Sequence, residues 1–237
     1  MAEYRNPSTP TARRRLIAVA SIVTAFLIGF SVSGRNDEAA GPPASGAPAV
    51  GAAPSGAPDG PGPTGDRWGI PTGFARTEAG AVTAAVGYVL TGGELMAMPP
   101  TRVPDAIALM SAEASTGARV TEAQAKLGQL REVLAPGRGA TRYLQAVLAV
   151  RVEAFSIDRA RVSVWSVGVL SRDGAAVPQA GWTTSTFELV WERDDWKVWS
   201  EQIVPGPTPD LNASDRPATA ADLESRLQGF TIWEAGR

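Results

Sequence analysis

The sequence has no cysteine and no histidine among its 237 residues. Without cysteine, the chain has no disulfide framework, no thiolate nucleophile or thiolate metal site, and no lipidated cysteine. Without histidine, it has no imidazole base, no Ser-His-Asp triad and no ordinary zinc site. A formal net charge of −2 argues against general nucleic-acid binding, which requires a basic face. These absences exclude most hydrolase and metalloenzyme chemistry.

The longest apolar run lies near the N-terminus, at residues 16–34 (LIAVASIVTAFLIGFSVSG). A helix of this length rises about 28 Å, close to the ~30 Å hydrocarbon core of a bilayer. Three consecutive arginines at 13–15 precede the run, whereas Asp37 and Glu38 follow it. The positive charge before the run predicts that residues 1–15 are cytoplasmic. The sequence therefore predicts a single-pass cell-membrane protein whose main domain lies outside the cytoplasm.

A cleaved signal peptide is the alternative interpretation of this run, because residues 31–33 (SVS) match a small-residue cleavage site. Twin-arginine export is a related alternative, since Arg13 and Arg14 are followed closely by apolar residues. The run exceeds the about 7–15 apolar residues of a usual signal core, which favours a retained anchor. A cleaved chain would be secreted, so each alternative places the main domain outside the cytoplasmic membrane.

Residues 35–67 are predicted to form a disordered linker. Within them, residues 41–65 (GPPASGAPAVGAAPSGAPDGPGPTG) consist mainly of Gly, Pro, Ala and Ser, a composition that buries little apolar surface. A spacer that holds the next domain away from the bilayer is the simplest interpretation. A Pro-rich docking ligand is the weaker alternative, because no P-x-x-P motif with a flanking arginine is present.

Three helices are predicted in the first half of the domain that follows. Thr77 is expected to cap the first helix, and Gly92-Gly93 is expected to end it. The second is predicted over residues 103–114. The third is predicted to begin at Thr121, where the sequence TEAQ matches a capping box, and to end before a Pro-Gly pair.

Period-two alternation predicts four strands in the second half, at residues 142–155, 161–171, 182–193 and 196–204. A tight turn at Asp194-Asp195 is predicted to join the last two strands and to place Trp191 opposite Val198 and Leu189 opposite Ser200. The face predicted to enter the core carries Phe187, Leu189, Trp191, Trp196 and Val198. The opposite face is predicted to carry Trp182, Glu188, Trp199 and Glu201.

This order of elements predicts an α+β domain at residues 68–205, with three helices packed on a curved, four-stranded antiparallel sheet. The segment 187–191 (FELVW), leading through a tight turn into 196–199 (WKVW), resembles the last hairpin of the cone-shaped nuclear transport factor 2-like fold. The same cone behind one transmembrane helix and a tether is similar to TcpC-like conjugation proteins and the inner-membrane scaffold subunit of type IV secretion systems. The segments 69–74 (GIPTGF) and 77–82 (TEAGAV) also resemble a family of membrane-anchored actinomycete proteins. The resemblance implies an architecture for residues 69–205 and no catalytic residues.

Residues 206–237 are predicted to be a C-terminal extension with a short helix at 219–227. Leu223, Leu227 and Phe230 lie along one side of this segment at helical spacing. The extension is expected either to fold back on the domain or to serve as an appendage that binds a partner.

Candidate catalytic groups are few. Asp105, Tyr88, Tyr143 and Glu153 are the acids and phenols considered for a pocket between helices and sheet, and none has a recognisable catalytic spacing. Asp105 at a predicted helix start is the usual place for a residue that interacts with the helix dipole. The acidic residues are scattered, and no Walker or dinucleotide-binding motif is present. We therefore expect no catalytic residue, cofactor or metal.

The sequence favours a non-enzymatic, membrane-anchored protein whose outer domain contacts other envelope proteins, with conjugation or secretion as the specific expectation. The candidate contact residues are Trp182, Trp199, Glu188, Glu201, Leu223, Leu227 and Phe230. Homo-oligomerisation is left open, and no nucleic-acid partner is expected. The alternatives are an exported module that holds a small apolar or cell-wall ligand in the cone pocket, and an isomerase-like or hydratase-like enzyme. A sizeable apolar pocket with one acid would favour these alternatives, whereas an exposed aromatic sheet face would favour protein contacts.

Overall fold

The computed structural model of the protein describes residues 60–208 and 225–232. The predicted transmembrane segment, most of the predicted linker, and Leu223 lie outside these residues. No helix within the described ranges is both long and apolar enough to span a bilayer.

The described chain begins with a small antiparallel hairpin of β1 (Gly65–Arg67) and β2 (Ile70–Thr72). Its turn contains Trp68 and Gly69, both at positive φ. The indole of Trp68 lies between two guanidinium groups, 4.3 Å from that of Arg67 and 4.6 Å from that of Arg102. Strand β1 lies within the stretch that composition assigns to the linker, so ordered structure begins before Trp68.

The first predicted helix is confirmed as α1 (Glu78–Leu90), with the Thr77 hydroxyl accepting a hydrogen bond from the Gly80 amide at 3.0 Å. The helix ends at Leu90, next to the predicted stop at Gly92-Gly93. The chain bends at Thr91, and a second short helix, α2 (Gly92–Ala97), begins at once. Thr91 Oγ1 donates to the last-turn carbonyl of Tyr88 at 2.7 Å, which satisfies an acceptor at this junction.

The other two predicted helices are present with different bounds. Helix α3 spans Val103–Met110 and ends four residues early, because the next residues are extended and the Ala112 amide donates to Val198 O at 3.0 Å. A single 3-10 turn, Glu113–Ser115, leads into α4 (Thr116–Leu134). The capping box predicted at Thr121 is wrong, since this residue is inside α4 and its hydroxyl donates to Gly117 O at 3.0 Å.

The main sheet contains five antiparallel strands in the order β6-β5-β4-β3-β7. The predicted four-stranded meander is confirmed, with longer strands than expected: β3 (Arg138–Phe155), β4 (Arg159–Asp173), β5 (Ala176–Glu192) and β6 (Asp195–Pro205). The short β7 (Thr231–Ile232) pairs with Ala149 and Val150 of β3. The described part of the C-terminal extension therefore folds back on the domain.

The turn between β5 and β6 lies one residue earlier than predicted. Arg193 and Asp194 both have a φ of 55°, as a two-residue type I′ turn requires, and Glu192 pairs with Asp195. Trp191 consequently pairs with Trp196, and the predicted register of Trp191 against Val198 is wrong. The error amounts to two residues, so it preserves the alternation of faces.

The predicted core face is confirmed for Phe187, Leu189, Trp196 and Val198, each at most 1% exposed. These side chains form one core with buried residues of α1, α3 and α4. The face on which the helices pack is called the inner face, and the opposite side of the sheet is the outer face. Trp191 packs against the edge of this core, with its ring centroid 5.4 Å from that of Trp196.

A β-bulge in β6 changes the orientation of its second half. Leu189 pairs with Val198 and Glu188 pairs with Ser200, so Trp199 is the extra residue. Beyond this residue the alternation is reversed, and Glu201 pairs with Phe187 on the inner face. The prediction that Glu201 lies beside Trp199 on the outer face is therefore wrong.

An interior ion pair ties the β5–β6 hairpin to the helical layer. Asp195 Oδ1 accepts from the amides of Phe74 at 3.1 Å and Trp196 at 3.0 Å, while its Oδ2 accepts from Lys197 Nζ at 2.9 Å. Lys197 Nζ also donates to Leu109 O near the end of α3, at 2.8 Å. Both charged side chains are 6% exposed.

Candidate functional site

A concave region lies on each face of the sheet. The inner pocket lies between the sheet and helices α1, α2, α3 and α4, and has a volume of about 90 Å³. Ligand sites for drug-sized molecules usually enclose about 300–1,000 Å³. The inner pocket is therefore not the sizeable apolar chamber that would favour the small-ligand or enzyme alternatives considered above.

Glu201 is the acidic residue in the lining of the inner pocket. Its carboxylate lies 3.5 Å from Arg119 Nη2, and the two side chains are 11% and 4% exposed, respectively. Burial raises the pKa of Glu201, and the neighbouring Arg119 guanidinium only partly opposes this change. Arg119 Nε also donates to Ser111 Oγ at 3.0 Å, which fixes the guanidinium in the helical layer.

Several uncharged polar groups share the inner pocket with this ion pair. They come from three strands: Tyr143, Gln145, Ser166, Thr183 and Ser185. The side-chain oxygen of Gln145 is buried and has no hydrogen-bond partner. Burial raises the pKa of Tyr143, although the Gln145 side chain acts in the opposite direction. Sequence reasoning had considered Tyr143 for such a pocket but missed the other four residues, although Ser and Thr at inward-facing strand positions were a visible signal.

The other acids and phenols considered from the sequence do not come together in one site. The Tyr88 hydroxyl donates a hydrogen bond to Trp196 O at 2.5 Å, and burial raises the pKa of Tyr88 well above its usual value. Asp105 is exposed in the first turn of α3, as expected for a residue that interacts with the helix dipole. Within the described residues, no cluster of three or more acidic side chains is arranged to hold a metal ion.

The second concave region, called the outer groove, has a volume of about 280 Å³. Its lining includes Phe155, Arg159, Arg161, Glu188 and Trp199. Trp199 is 39% exposed, so one large aromatic side chain faces solvent on the outer face here. Phe155, which is 38% exposed, pairs with the core residue Ala160, and its ring centroid lies 6.1 Å from that of Trp196. The structure thus brings together Trp199 and Glu188, two of the residues that the sequence singled out for protein contact.

A polar network extends across the outer face from this groove. Glu188 accepts from Arg161 Nη1 at 3.1 Å and from Ser200 Oγ at 2.9 Å. Glu153 accepts from Arg161 Nε at 2.8 Å, Arg151 Nη2 at 2.8 Å and Ser163 Oγ at 2.6 Å. Burial acts to raise the pKa of Glu153, but these three donors outweigh it and hold the pKa below its usual value.

Trp182 lies on the outer face at a distance from the groove. Trp182 is opposite Val167, six residues before Glu188 on β5, whereas Trp199 is next to Ser200, which is opposite Glu188. Because six residues along a strand span about 20 Å, the two tryptophans do not share one patch.

The chain that leaves β6 covers part of Trp182. The ring centroid of Trp182 is 5.6 Å from that of Trp165, whose Nε1 donates to Pro207 O at 3.0 Å. The Gly206 amide donates to Trp182 O at 2.7 Å. The start of the C-terminal extension therefore partly buries this side chain against the sheet.

The described C-terminal candidates lie against the β3 side of the sheet. Phe230 is half-buried, with the Arg151 guanidinium 4.6 Å from its ring centroid, and Arg151 Nη1 donates to Gln228 O at 3.2 Å. Leu227 is also half-buried. These contacts favour the fold-back alternative for residues 225–232.

Comparison with known proteins provides a family and one structural similarity. No curated protein matches the chain. The crystal structure of the intermembrane space region of chloroplast protein ARC6 aligns with 53% of this chain and 97% of its own, with 13% sequence identity and a TM-score of 0.33. A family model described as a domain of unknown function, DUF8175, matches residues 45–229. Since this match covers well over half of the chain, the protein belongs to the DUF8175 family.

Proposed function

We propose that this protein is a non-enzymatic, single-pass membrane protein whose outer domain binds another protein of the cell envelope through the outer groove. The observation that carries the proposal is a groove beside the exposed indole of Trp199, on the sheet face opposite the helices. A conjugation or secretion apparatus is the assembly that we propose, and a nuclear transport factor 2-like cone is the proposed fold type. Both rest on the resemblance of the last hairpin and of the anchor-and-tether order.

The shape and aromatic content of the groove support a protein partner. A volume of about 280 Å³ accepts one or two side chains from another protein. Exposed tryptophan side chains such as Trp199 are enriched at protein interfaces, and tryptophan often dominates the binding energy. The inner pocket offers less for catalysis, because its acid is paired with Arg119 and Tyr88 has a raised pKa.

The charges in the groove define the chemistry of the partner segment. Arg159 and Arg161 line it together with Glu188. Arg161 is already bonded to Glu188, whereas the Arg159 side chain has no ion pair with a described residue. The complementary segment carries a carboxylate that reaches Arg159 and a neighbouring apolar side chain that packs on Trp199.

The N-terminal sequence supports the proposed membrane location. The uncharged run at 16–34 follows three arginines, and the predicted linker follows it. As a flexible coil, the linker would have an average span of roughly 30–35 Å. That span would place the groove beyond the lipid headgroups, where a second envelope protein can reach it.

Site-specific crosslinking in intact membranes tests the proposed contact. A photoreactive residue is introduced at Ala154, an exposed position in the lining of the groove, in the full-length protein, and Trp199→Ala and Arg159→Glu are combined with it separately. We expect one crosslinked protein that decreases at least tenfold in both variants, because loss of an interface tryptophan commonly costs about 2 kcal/mol or more.

Ile157→Ala is the matched control, since Ile157 is 55% exposed and does not line the groove. It should leave the crosslinked product unchanged. An unchanged product in Trp199→Ala and Arg159→Glu, or no product in any chain, contradicts the proposed role of the groove.

Cysteine labelling tests the proposed topology without background, because the natural chain has no cysteine. A membrane-impermeant maleimide added to intact cells should label Ile157→Cys and should not label Glu3→Cys. Labelling of Glu3→Cys alone would refute the proposed orientation. Absence of the protein from the membrane fraction would refute the retained anchor.

A further inference from the structure

We propose that the inner pocket binds a small, neutral molecule that donates several hydrogen bonds, of the size of acetamide or glycerol. The proposal concerns the opposite side of the sheet from the outer groove and stands independently of the protein contact. It also differs from the small apolar ligand that the sequence left open as one alternative, because hydroxyl and amide side chains occupy inner-face positions where the core pattern predicts apolar residues.

The first observation is an abrupt change in the inner face of the two central strands. Val162 lies opposite Phe187, and both are buried in the apolar core. Two residues further along each strand the pattern changes to Val164 opposite Ser185, and then to Ser166 opposite Thr183. All three hydroxyl residues are buried. The hydroxyl groups thus begin where the inner pocket begins.

The second observation is unused hydrogen-bonding capacity. The hydroxyls of Ser166 and Thr183 lie 3.4 Å apart, a long contact for two oxygens. The Gln145 side-chain oxygen is buried without a partner. Each hydroxyl offers one donor and two acceptor positions, and a carboxamide oxygen accepts up to two bonds. Buried polar atoms are nearly always hydrogen-bonded, so these groups favour a bound polar molecule that donates hydrogen bonds to them.

The charge and size of the pocket limit the charge and size of the molecule that it can bind. Arg119 and Glu201 contribute one charge of each sign to its wall, so neither an anion nor a cation is favoured overall. A cavity of about 150 Å³ holds benzene, and the inner pocket measures about 90 Å³. The bound molecule is therefore smaller than benzene. The opposite wall is apolar, with Ile107 and Leu127, which suits a molecule with a short hydrocarbon part.

Saturation-transfer NMR on the full-length protein in detergent micelles tests the proposal with acetamide, glycerol and benzene as separate probes. We expect saturable binding of acetamide or glycerol in the millimolar range and no saturable binding of benzene. Thr183→Val keeps the side-chain volume and removes one hydroxyl, so it should weaken binding about tenfold. Ser185→Ala provides a second variant and should weaken it similarly.

Thr186→Val is the matched control, because Thr186 lies on the same strand and its hydroxyl contacts Ser163 on the outer face, away from the pocket. It should bind the probes like the natural chain. Benzene binding as tight as acetamide binding, equal affinities in Thr183→Val and Thr186→Val, or no saturable binding of either polar probe overturns the proposal. In the last case the pocket holds ordered water only.

Discussion

Replacing Asp195 by asparagine removes one charge from an ion pair in the interior of the domain while keeping the shape of the side chain. Asp195 and Lys197 are each 6% exposed at the side chain and lie 2.9 Å apart. The asparagine oxygen can still accept from the Phe74 and Trp196 amides, which contact Asp195 Oδ1 in the natural chain. The change therefore isolates the charge of the pair from its backbone hydrogen bonds.

The expected loss of stability follows from the Lys197 charge, which remains buried without its partner. In Asp195→Asn, the Lys197 ammonium keeps Leu109 O as an acceptor at 2.8 Å, but it loses its counter-charge. Breaking one side of a buried pair typically costs about 3–5 kcal/mol. The retained carbonyl contact places our expectation at the lower end, about 3 kcal/mol. Lys197→Met leaves the carboxylate with two amide donors and should cost about 2–3 kcal/mol.

The double variant Asp195→Asn/Lys197→Met leaves no buried charge at this position. Its loss should therefore be smaller than the sum of the two single losses, with a coupling energy of about 2 kcal/mol. Urea unfolding of the full-length protein, followed by tryptophan fluorescence, measures all four free energies at one pH. The slope with urea should stay constant across the set, since only then do shifts in midpoint report stability.

Asp158→Asn is the control for this series, because the Arg76–Asp158 pair has side chains 46% and 62% exposed. An exposed pair contributes less than about 1 kcal/mol, so this variant should unfold close to the natural chain. Additive losses in the double variant, or single losses no larger than that of Asp158→Asn, would show that Asp195 and Lys197 do not act as a buried pair.

Three further predictions concern single positions. Glu153→Gln should lower stability by about 1–2 kcal/mol at pH 7, because three donors hold the pKa of the natural carboxyl below its usual value of 4.5. The difference should persist above about pH 4.5 and fade as the pH falls through the folded-state pKa; equal losses in urea midpoints at pH 7 and pH 3 would contradict it. Asp194→Gly should raise the free energy of unfolding by about 0.5–1 kcal/mol, because Asp194 has a φ of 55° that glycine adopts without strain. The melting temperature should rise accordingly, and an unchanged or lower melting temperature refutes this. Gly168→Ala should lower the urea midpoint, because its Cβ would lie 2.7 Å from the Tyr143 hydroxyl, and a midpoint equal to that of the natural chain would show that Tyr143 moves aside freely.

Local patterns were sufficient for the order of elements and for the core face of the last hairpin. Trp196 and Val198 alternate with polar residues, and both are fully buried as predicted. The end of α1 near Gly92-Gly93 was predictable, but the start of α2 at this pair was not, because glycine pairs terminate many helices and also tolerate the start of another. Here the Thr91 hydroxyl bond to Tyr88 O makes the bend between the two helices favourable.

The outer groove was partly predictable and the inner pocket was not. Trp199 and Glu188 were identified because large or charged side chains on the non-core parity are visible in the sequence. Arg159 was missed, since its place in the groove depends on the pairing of the start of β4 with the end of β5, where Arg159 lies opposite Val190. Arg119 and Gln145 come from separate elements, and no short-range pattern places them in one pocket.

The sequence by itself determined the absence of thiol and imidazole chemistry, the prediction of an anchor and tether, and the α+β order of helices before strands. These depend on composition and on periodicity within single elements, which are local properties of the chain. The tertiary structure alone decided which way Glu201 points, because one extra residue at Trp199 reverses the alternation and the sequence contains no mark of that bulge. It also decided the hairpin turn: Asp195 satisfies the Phe74 amide and Lys197 in the interior, and the turn therefore falls on Arg193 and Asp194.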